Sequence, residues 1–407
     1  MPQALQTRQA AAAVRMQVNR VAGWLSSFAL AATAGLAMTM QVVFESFHSA
    51  RLGAVMGCLL LLHLVRHPRF PLKRETAIYL CFVCYTVVAL VWTSDVRLAM
   101  NTLVPSITFV VALILFGALA TCHNLQAVLA GTLCGILMGA AVYTWKSGFP
   151  VVYPRDFSYN AIAGMYLLGL FIAVLCSCYW RAKLLFLLVG LACLTLVVAT
   201  TSIKFNVGIL LGTIAAGLLY FRHFKTILWR NAVPVAVLLG ILGYLVASND
   251  ALMATLARGA DRVMLGVNVL QAREDEPGYT AFESRRQWQS AGLEGWLQNP
   301  LFGHGVEAFR DRYGITSHST PVDLLYNLGL IGLALFYAPV FSVGWRVFKA
   351  SDKTQADVCA LILGVLTCYV FVSLSAPLHY NGFFAVFVAI STAVLVDIRA
   401  RPLTERL

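Results

Sequence analysis

The segment Ser317-His318-Ser319-Thr320-Pro321 is where this sequence most clearly offers proton chemistry. Ser or Thr ahead of a Pro marks the first turn of a helix, and an apolar run follows, so His318 is expected at the mouth of that helix. The positive end of a helix dipole disfavours imidazolium there. A neutral imidazole is a proton acceptor at physiological pH. A second set is basic: Arg155, Lys204, Arg285 and Arg286 stand at or near the ends of apolar runs, in different loops. Arginine forks bind phosphate oxygens bidentately, and a site that holds a diphosphate without metal calls for such a set. Lys204 closes an otherwise uncharged turn, Thr200-Thr201-Ser202-Ile203-Lys204. Read as structure alone, the basic residues snorkel to a membrane interface and His318 is a packing residue. Gly329 and Gly332 then let a neighbouring helix approach closely. The residues by themselves leave both readings open.

What positions these groups is set by hydropathy. The chain has 407 residues, 59% of them hydrophobic and 12% charged, with a mean hydropathy of +0.77. A soluble globule is about a quarter charged; a chain this poor in charge cannot cover a water-facing surface, so lipid must solvate much of it. A bilayer crossing takes about 20 apolar residues. Apolar runs fall near 21–43, 50–65, 77–92, 99–120, 125–144, 160–179, 183–200, 205–221, 232–248, 320–343, 357–375 and 381–397. The expected architecture is an all-α integral membrane protein of about twelve transmembrane helices, one polytopic domain over 1–407. Residues 1–20 are polar and basic and the apolar stretch after them exceeds a signal-peptide core, so the start reads as an uncleaved first span.

Charge assigns the sides. With the N-terminus inside, cytoplasmic segments hold Arg8, Arg15 and Arg20, then Arg66, Arg69, Lys73 and Arg74, then the basic residues of 181–183, 222–230, 346–353 and 399–406. The short outward segments hold only Arg51, Arg97, Lys146, Arg155 and Lys204. That asymmetry places both termini in the cytoplasm. It also accounts for most of the net charge of +12 without nucleic acid as a partner. One long segment, 249–317, is left as a large outward loop between the ninth and tenth spans. Its stretch 251–271 has the spacing of an amphipathic helix lying on the membrane. Residues 274–278 form a turn, 281–297 a second helix with Trp288 and Trp296 as interfacial anchors, and 299–305 a rigid glycine-rich turn.

Nucleotide, zinc-protease and serine-hydrolase motifs are missing, as is any Asp-x-Asp at an outward helix end. Acidic residues on that face outside the loop are Glu45, Asp95, Asp156 and Asp323, so neither a divalent metal nor another cofactor is expected. The ten cysteines lie within or at the ends of apolar runs, and Cys81 and Cys84 read as small core residues rather than a metal pair.

His318-Ser319, nine residues, then Gly329-x-x-Gly332 resembles the His-[Asn/Ser/Gln]-x9-Gly-x-x-Gly pattern of the bacterial O-antigen ligase family. Asn299-Pro300-Leu301-Phe302-Gly303-His304-Gly305 is similar to that family's Pro-x-x-Gly-x-Gly turn. Arg285, three residues before Trp288, looks like its loop arginine, with Arg286 as the alternative register. Arg155-Asp156-Phe157-Ser158 followed by Asn160 resembles the arginine before its sixth span. Where the family commonly shows Ser-Arg after the seventh span, this chain has Ser202-Ile203-Lys204, and Lys204 stands in for the arginine. The resemblance implies a metal-independent, inverting glycosyltransferase in the bacterial inner membrane with its site facing the periplasm. The donor would be a glycan on undecaprenyl diphosphate and the acceptor a hydroxyl of lipid A-core. His318 would be the base, and Arg155, Lys204, Arg285 and Arg286 the diphosphate ligands. Related O-antigen polymerases and protein O-oligosaccharyltransferases share the loop and fold. A lipid or glycan transporter without chemistry is the rival from another class, and it would want charges within the helices along a path.

Overall fold

The computed structural model describes residues 2–44, 49–67, 72–120, 124–148, 159–200, 202–219, 279–350, 356–376 and 381–400, with a few single positions between 240 and 257. Every regular element among them is a helix. In chain order these are α1 (Pro2–Val43), α2 (Ser49–Arg66), α3 (Arg74–Ala89, extended by a 3-10 turn, Leu90–Trp92), α4 (Val96–Leu119) and α5 (Leu125–Ser147). There follow α6 (Tyr159–Tyr179), α7 (Lys183–Ala199), α8 (Ile203–Leu219), α9 (Tyr279–Trp296), α10 (Ala308–Tyr313), α11 (Thr320–Ala350), α12 (Ala356–Ser373) and α13 (Gly382–Ala400). Among the described residues, eight helices are long and apolar enough to cross a membrane: α1 to α6, α11 and α12, with α3 counted through Trp92. The helices α7, α8 and α13 are apolar but shorter. This is a multi-pass, all-α membrane protein.

Each expected apolar run is covered by a helix except 232–248, which apart from positions 240 and 248 lies outside the described residues. So do Arg155, the amphipathic stretch beyond a few single positions, and the turn 274–278. Several helices overrun their apolar runs by a few residues, and two by much more. The helix α1 begins at Pro2, and α11 continues to Ala350. Polar helix ends beyond a hydrophobic span keep their backbone bonds in water as well as in lipid, so hydropathy does not mark where they stop.

The bundle packs by close backbone approach and by aromatic filling. The helix α1 lies along α5, α8 along α12, and α11 runs between α3 and α9. A Cβ on Gly135 would sit 2.2 Å from the Ala32 carbonyl oxygen, so α1 and α5 touch through main chain there. Tyr79, Phe109, Phe336 and Phe384 fill the centre with edge-on and tilted rings. At the far end of α11, Arg346 pairs with buried Glu75 at 3.1 Å and Ser342 donates to the same carboxylate oxygen at 2.9 Å, which ties the start of α3 to the end of α11.

Candidate functional site

The helix α11 is not continuous. Gly329 adopts φ 65° and ψ −166°, which breaks the helical ladder, in a region that is essentially glycine-only. A break leaves carbonyls and N–H groups without their i→i−4 partners. Here the segment 299–305 supplies them. The N–H groups of His304 and Gly305 donate to the Tyr326 and Asn327 carbonyls at 2.9 and 2.8 Å. The N–H groups of Leu330 and Ile331 donate to the Pro300 and Leu301 carbonyls at 2.9 and 3.3 Å. The Tyr85 hydroxyl covers the Leu328 carbonyl at 3.0 Å. Gly303 and Gly305 both take positive φ to follow this course.

The expected role of Gly329 and Gly332, admitting a neighbouring helix, is therefore corrected. A Cβ on Gly329 would lie 2.3 Å from the Leu301 carbonyl oxygen, so what approaches is a loop backbone at a helix break. A Cβ on Gly332 would lie 2.2 Å from the Cβ of Leu328 in the same helix, where a regular helix separates such atoms by about 5–6 Å. The break folds Leu328 back over position 332, and only a glycine leaves room. The Gly-x-x-Gly spacing is a break and its clearance.

The turn before α11 is fixed by side chains. The Ser317 N–H donates to Asp323 Oδ1 at 2.9 Å, and the Ser317 hydroxyl donates to the Ser319 carbonyl at 3.0 Å. The Ser319 N–H returns to the Ser317 hydroxyl at 3.1 Å, while the Ser319 carbonyl accepts the Asp323 N–H at 2.9 Å. The Thr320 hydroxyl donates to the Ala376 carbonyl at 2.6 Å, binding the turn to the segment after α12. Between two buried serines, His318 is half-buried and held at φ 61°. A non-glycine residue in this region is uncommon, and such strain persists where the surroundings over-determine it.

Three charged or titratable groups converge here. On α9 the Trp288 ring lies 5.8 Å from the His318 ring, centroid to centroid. Arg285, one turn before Trp288, is on the same face. Lys204, at the start of α8, donates to the Ser375 carbonyl, next to the Ala376 carbonyl that Thr320 holds. Burial, then the positive charges of Arg285 and Lys204, hold the His318 imidazole below its ordinary pKa. The expected neutral imidazole is thus favoured, with burial and these two cations as its causes. Arg286 points away: it is 75% exposed and faces Glu283 on its own helix at 3.9 Å. Arg285 is also exposed, and of the two it is the one whose charge bears on His318.

His304, the other described histidine of the glycine turn, is spoken for. Its Nε2 lies 2.8 Å from the Gly295 carbonyl, which makes that nitrogen the donor, and its ring packs 4.7 Å from Tyr326. Ser202 donates to Asn160 Oδ1 at 2.9 Å, which anchors the turn before Lys204 to the start of α6. Arg155 and His379 lie outside the described residues. Sequence reasoning passed over Asp323 as a mere count of charge. Its place three residues after Thr320, in the first turn of a helix, was the signal available, although the N–H it holds is that of Ser317. Chemically, the arrangement offers an imidazole nitrogen kept unprotonated beside two cations, which suits the neutral hydroxyl of one substrate and an anionic group of another. No protein-family model and no curated protein matches the chain by sequence.

Proposed function

We propose that the chain is a glycosyltransferase that moves a glycan from a lipid-linked diphosphate to a hydroxyl of lipid A-core, as an O-antigen ligase of the bacterial inner membrane does from its periplasmic face. The observation that carries this reading is the meeting of His318, Arg285 and Lys204 at one end of an apolar bundle, from three separate parts of the chain. Two cations fit the developing charge of a departing diphosphate. The imidazole fits the acceptor proton. In the transfer, the acceptor oxygen attacks the anomeric carbon. The bond from that carbon to the diphosphate oxygen breaks with its electron pair, and the proton passes to an imidazole nitrogen of His318. Direct displacement inverts the anomeric centre. Arg285 and Lys204 receive the diphosphate, with Arg155 as the further ligand suggested by the sequence. No cofactor enters.

The test is the purified chain in detergent with undecaprenyl-diphosphate-linked glycan and lipid A-core. Glycan-extended lipid A-core from the native chain and none from His318→Ala supports the reading. Longer glycans on the donor lipid would make the chain a polymerase, and glycan on an acceptor protein would make it a protein O-oligosaccharyltransferase. Movement of intact donor across vesicles without any new glycosidic bond would make it a transporter.

A further inference from the structure

Beneath the His318 turn lies a second cluster that the proposed transfer does not use. Asp323 gives one oxygen to the Ser317 N–H, and its other oxygen, Oδ2, has no hydrogen-bond partner. Glu307 accepts the Thr102 hydroxyl with Oε1, and its Oε2 also lacks a hydrogen-bond partner. The two residues are 3% and 6% exposed. Both line one cavity of about 20 Å³, with Thr86, Thr102, Ser106 and Asn327 among its other walls. That is room for one water or one unhydrated ion.

The hydroxyl groups in this wall have already spent their hydrogens. Thr86 donates to the Phe82 carbonyl at 2.9 Å, Ser106 to the Thr102 carbonyl at 2.8 Å, and Thr102 to Glu307. What they turn to the cavity is lone pairs. The basic side chain paired with the cluster is Arg310, 3.9 Å from Glu307 Oε2 and about half exposed. Glu307 is moreover held at φ 59°, a conformation that a side-chain-bearing residue keeps only under constraint. Two buried carboxylates need compensation, and a chamber whose polar wall is two carboxylates and three hydroxyls, beside the Asn327 amide and apolar side chains, suits a bare hard cation.

We propose that Glu307 and Asp323 bind one calcium-type divalent cation, with the hydroxyl oxygens of Thr86, Thr102 and Ser106 as further ligands. Calcium takes oxygen ligands in irregular geometry, whereas magnesium retains waters that a space this small does not admit. The ion fastens the segment before α10, the start of α4 and the first turn of α11 to one another. Because Asp323 also holds Ser317, the ion stiffens the turn that presents His318. It takes no part in glycan transfer, so its test is independent of that reading.

The experiment is a calorimetric titration of the full chain, stripped with chelator in detergent, with calcium chloride, alongside thermal unfolding in calcium, magnesium or sodium at matched ionic strength. One saturable site per chain is expected, with Kd on the order of 10⁻⁴–10⁻³ M as in extracellular calcium modules. The unfolding midpoint rises with calcium, less with magnesium, and not with sodium. Glu307→Gln and Asp323→Asn remove both effects. No saturable heat with the native chain overturns the proposal, and that arm stands even if both variants fail to fold. A midpoint that ignores calcium but climbs on acidification also overturns it, since the carboxylates would then share a proton.

Discussion

Replacing each of two neighbouring arginines on α9 separates a diphosphate site from a charged surface. Arg285 shares a face with Trp288, which contacts His318, and its charge acts on both His318 and Lys204. If it binds the leaving diphosphate, Arg285→Ala removes a hydrogen bond to a charged group, about 1.5–3 kcal/mol. At about 1.4 kcal/mol per factor of ten, kcat/KM falls roughly 10- to 150-fold. Arg286 is 75% exposed and its partner Glu283 33% exposed, at 3.9 Å. A pair of that kind contributes about 0–1 kcal/mol to stability and touches no substrate, so Arg286→Ala leaves kcat/KM nearly unchanged. Arg285→Lys keeps the charge and loses the fork, and falls between the two. The assay is the initial rate of glycan transfer across donor concentrations, on preparations whose thermal midpoints agree within error. Equal losses at both positions, or the larger loss at Arg286, would refute the assignment.

Further outcomes follow from the same geometry. His318→Ala lowers transfer on the order of 10²–10⁴-fold while leaving binding of the lipid-linked donor in place, as read by equilibrium binding on the same preparation; joint loss would make His318 an anion ligand instead. Because burial, Arg285 and Lys204 depress the His318 pKa, the imidazole of the native chain is neutral at pH 7, and transfer falls only below the ordinary imidazole range, near 6.5. Removing Arg285 withdraws one depressing charge, so the acid limb of the pH profile moves upward in Arg285→Ala; an unmoved limb would disconnect the two residues. Gly329→Ala forces a side chain onto the Leu301 carbonyl at 2.3 Å and into a glycine-only conformation worth about 1–3 kcal/mol, and the unfolding midpoint in detergent should drop accordingly. Tyr85→Phe leaves the Leu328 carbonyl without its 3.0 Å partner, a loss of about 1–3 kcal/mol, visible in the same measurement.

Hydropathy made the helices legible because lipid tolerates few charges and the pattern needs no tertiary context. The run 50–65 becomes Ser49–Arg66, and 281–297 becomes Tyr279–Trp296. The break in α11 was hidden because the apolar composition continues through it, and the partners that repair it are backbone groups without a side-chain signature. The same blindness made Gly329 and Gly332 look like packing glycines. His318 at a helix mouth was readable from Ser319-Thr320-Pro321, but its left-handed backbone and the Asp323 tether needed coordinates. Adjacent arginines cannot be told apart by composition; the turn of α9 and the position of Trp288 set Arg285 on the side of His318 and Arg286 beside Glu283. Glu307 lies in the large loop, and nothing local announced that the fold buries it beside Asp323.

The spliced helix also bears on how the protein is made. The Tyr326 and Asn327 carbonyls and the Leu330 and Ile331 N–H groups that bond to residues 299–305 are i and i+4 partners, so without that segment they would close on one another in a continuous helix. The helix α11 can therefore enter the membrane unbroken, and docking of residues 299–305 exchanges two rungs of its ladder for bonds to the loop. Its completing segment precedes it in the chain, so the partner is already synthesised when the helix emerges. Surface loops ordinarily absorb insertions and deletions with little harm. This one does not: a single residue added between Pro300 and Gly305 would slide its backbone groups out of step with both halves of the helix, and the damage would appear as loss of the break and of the turn it supports.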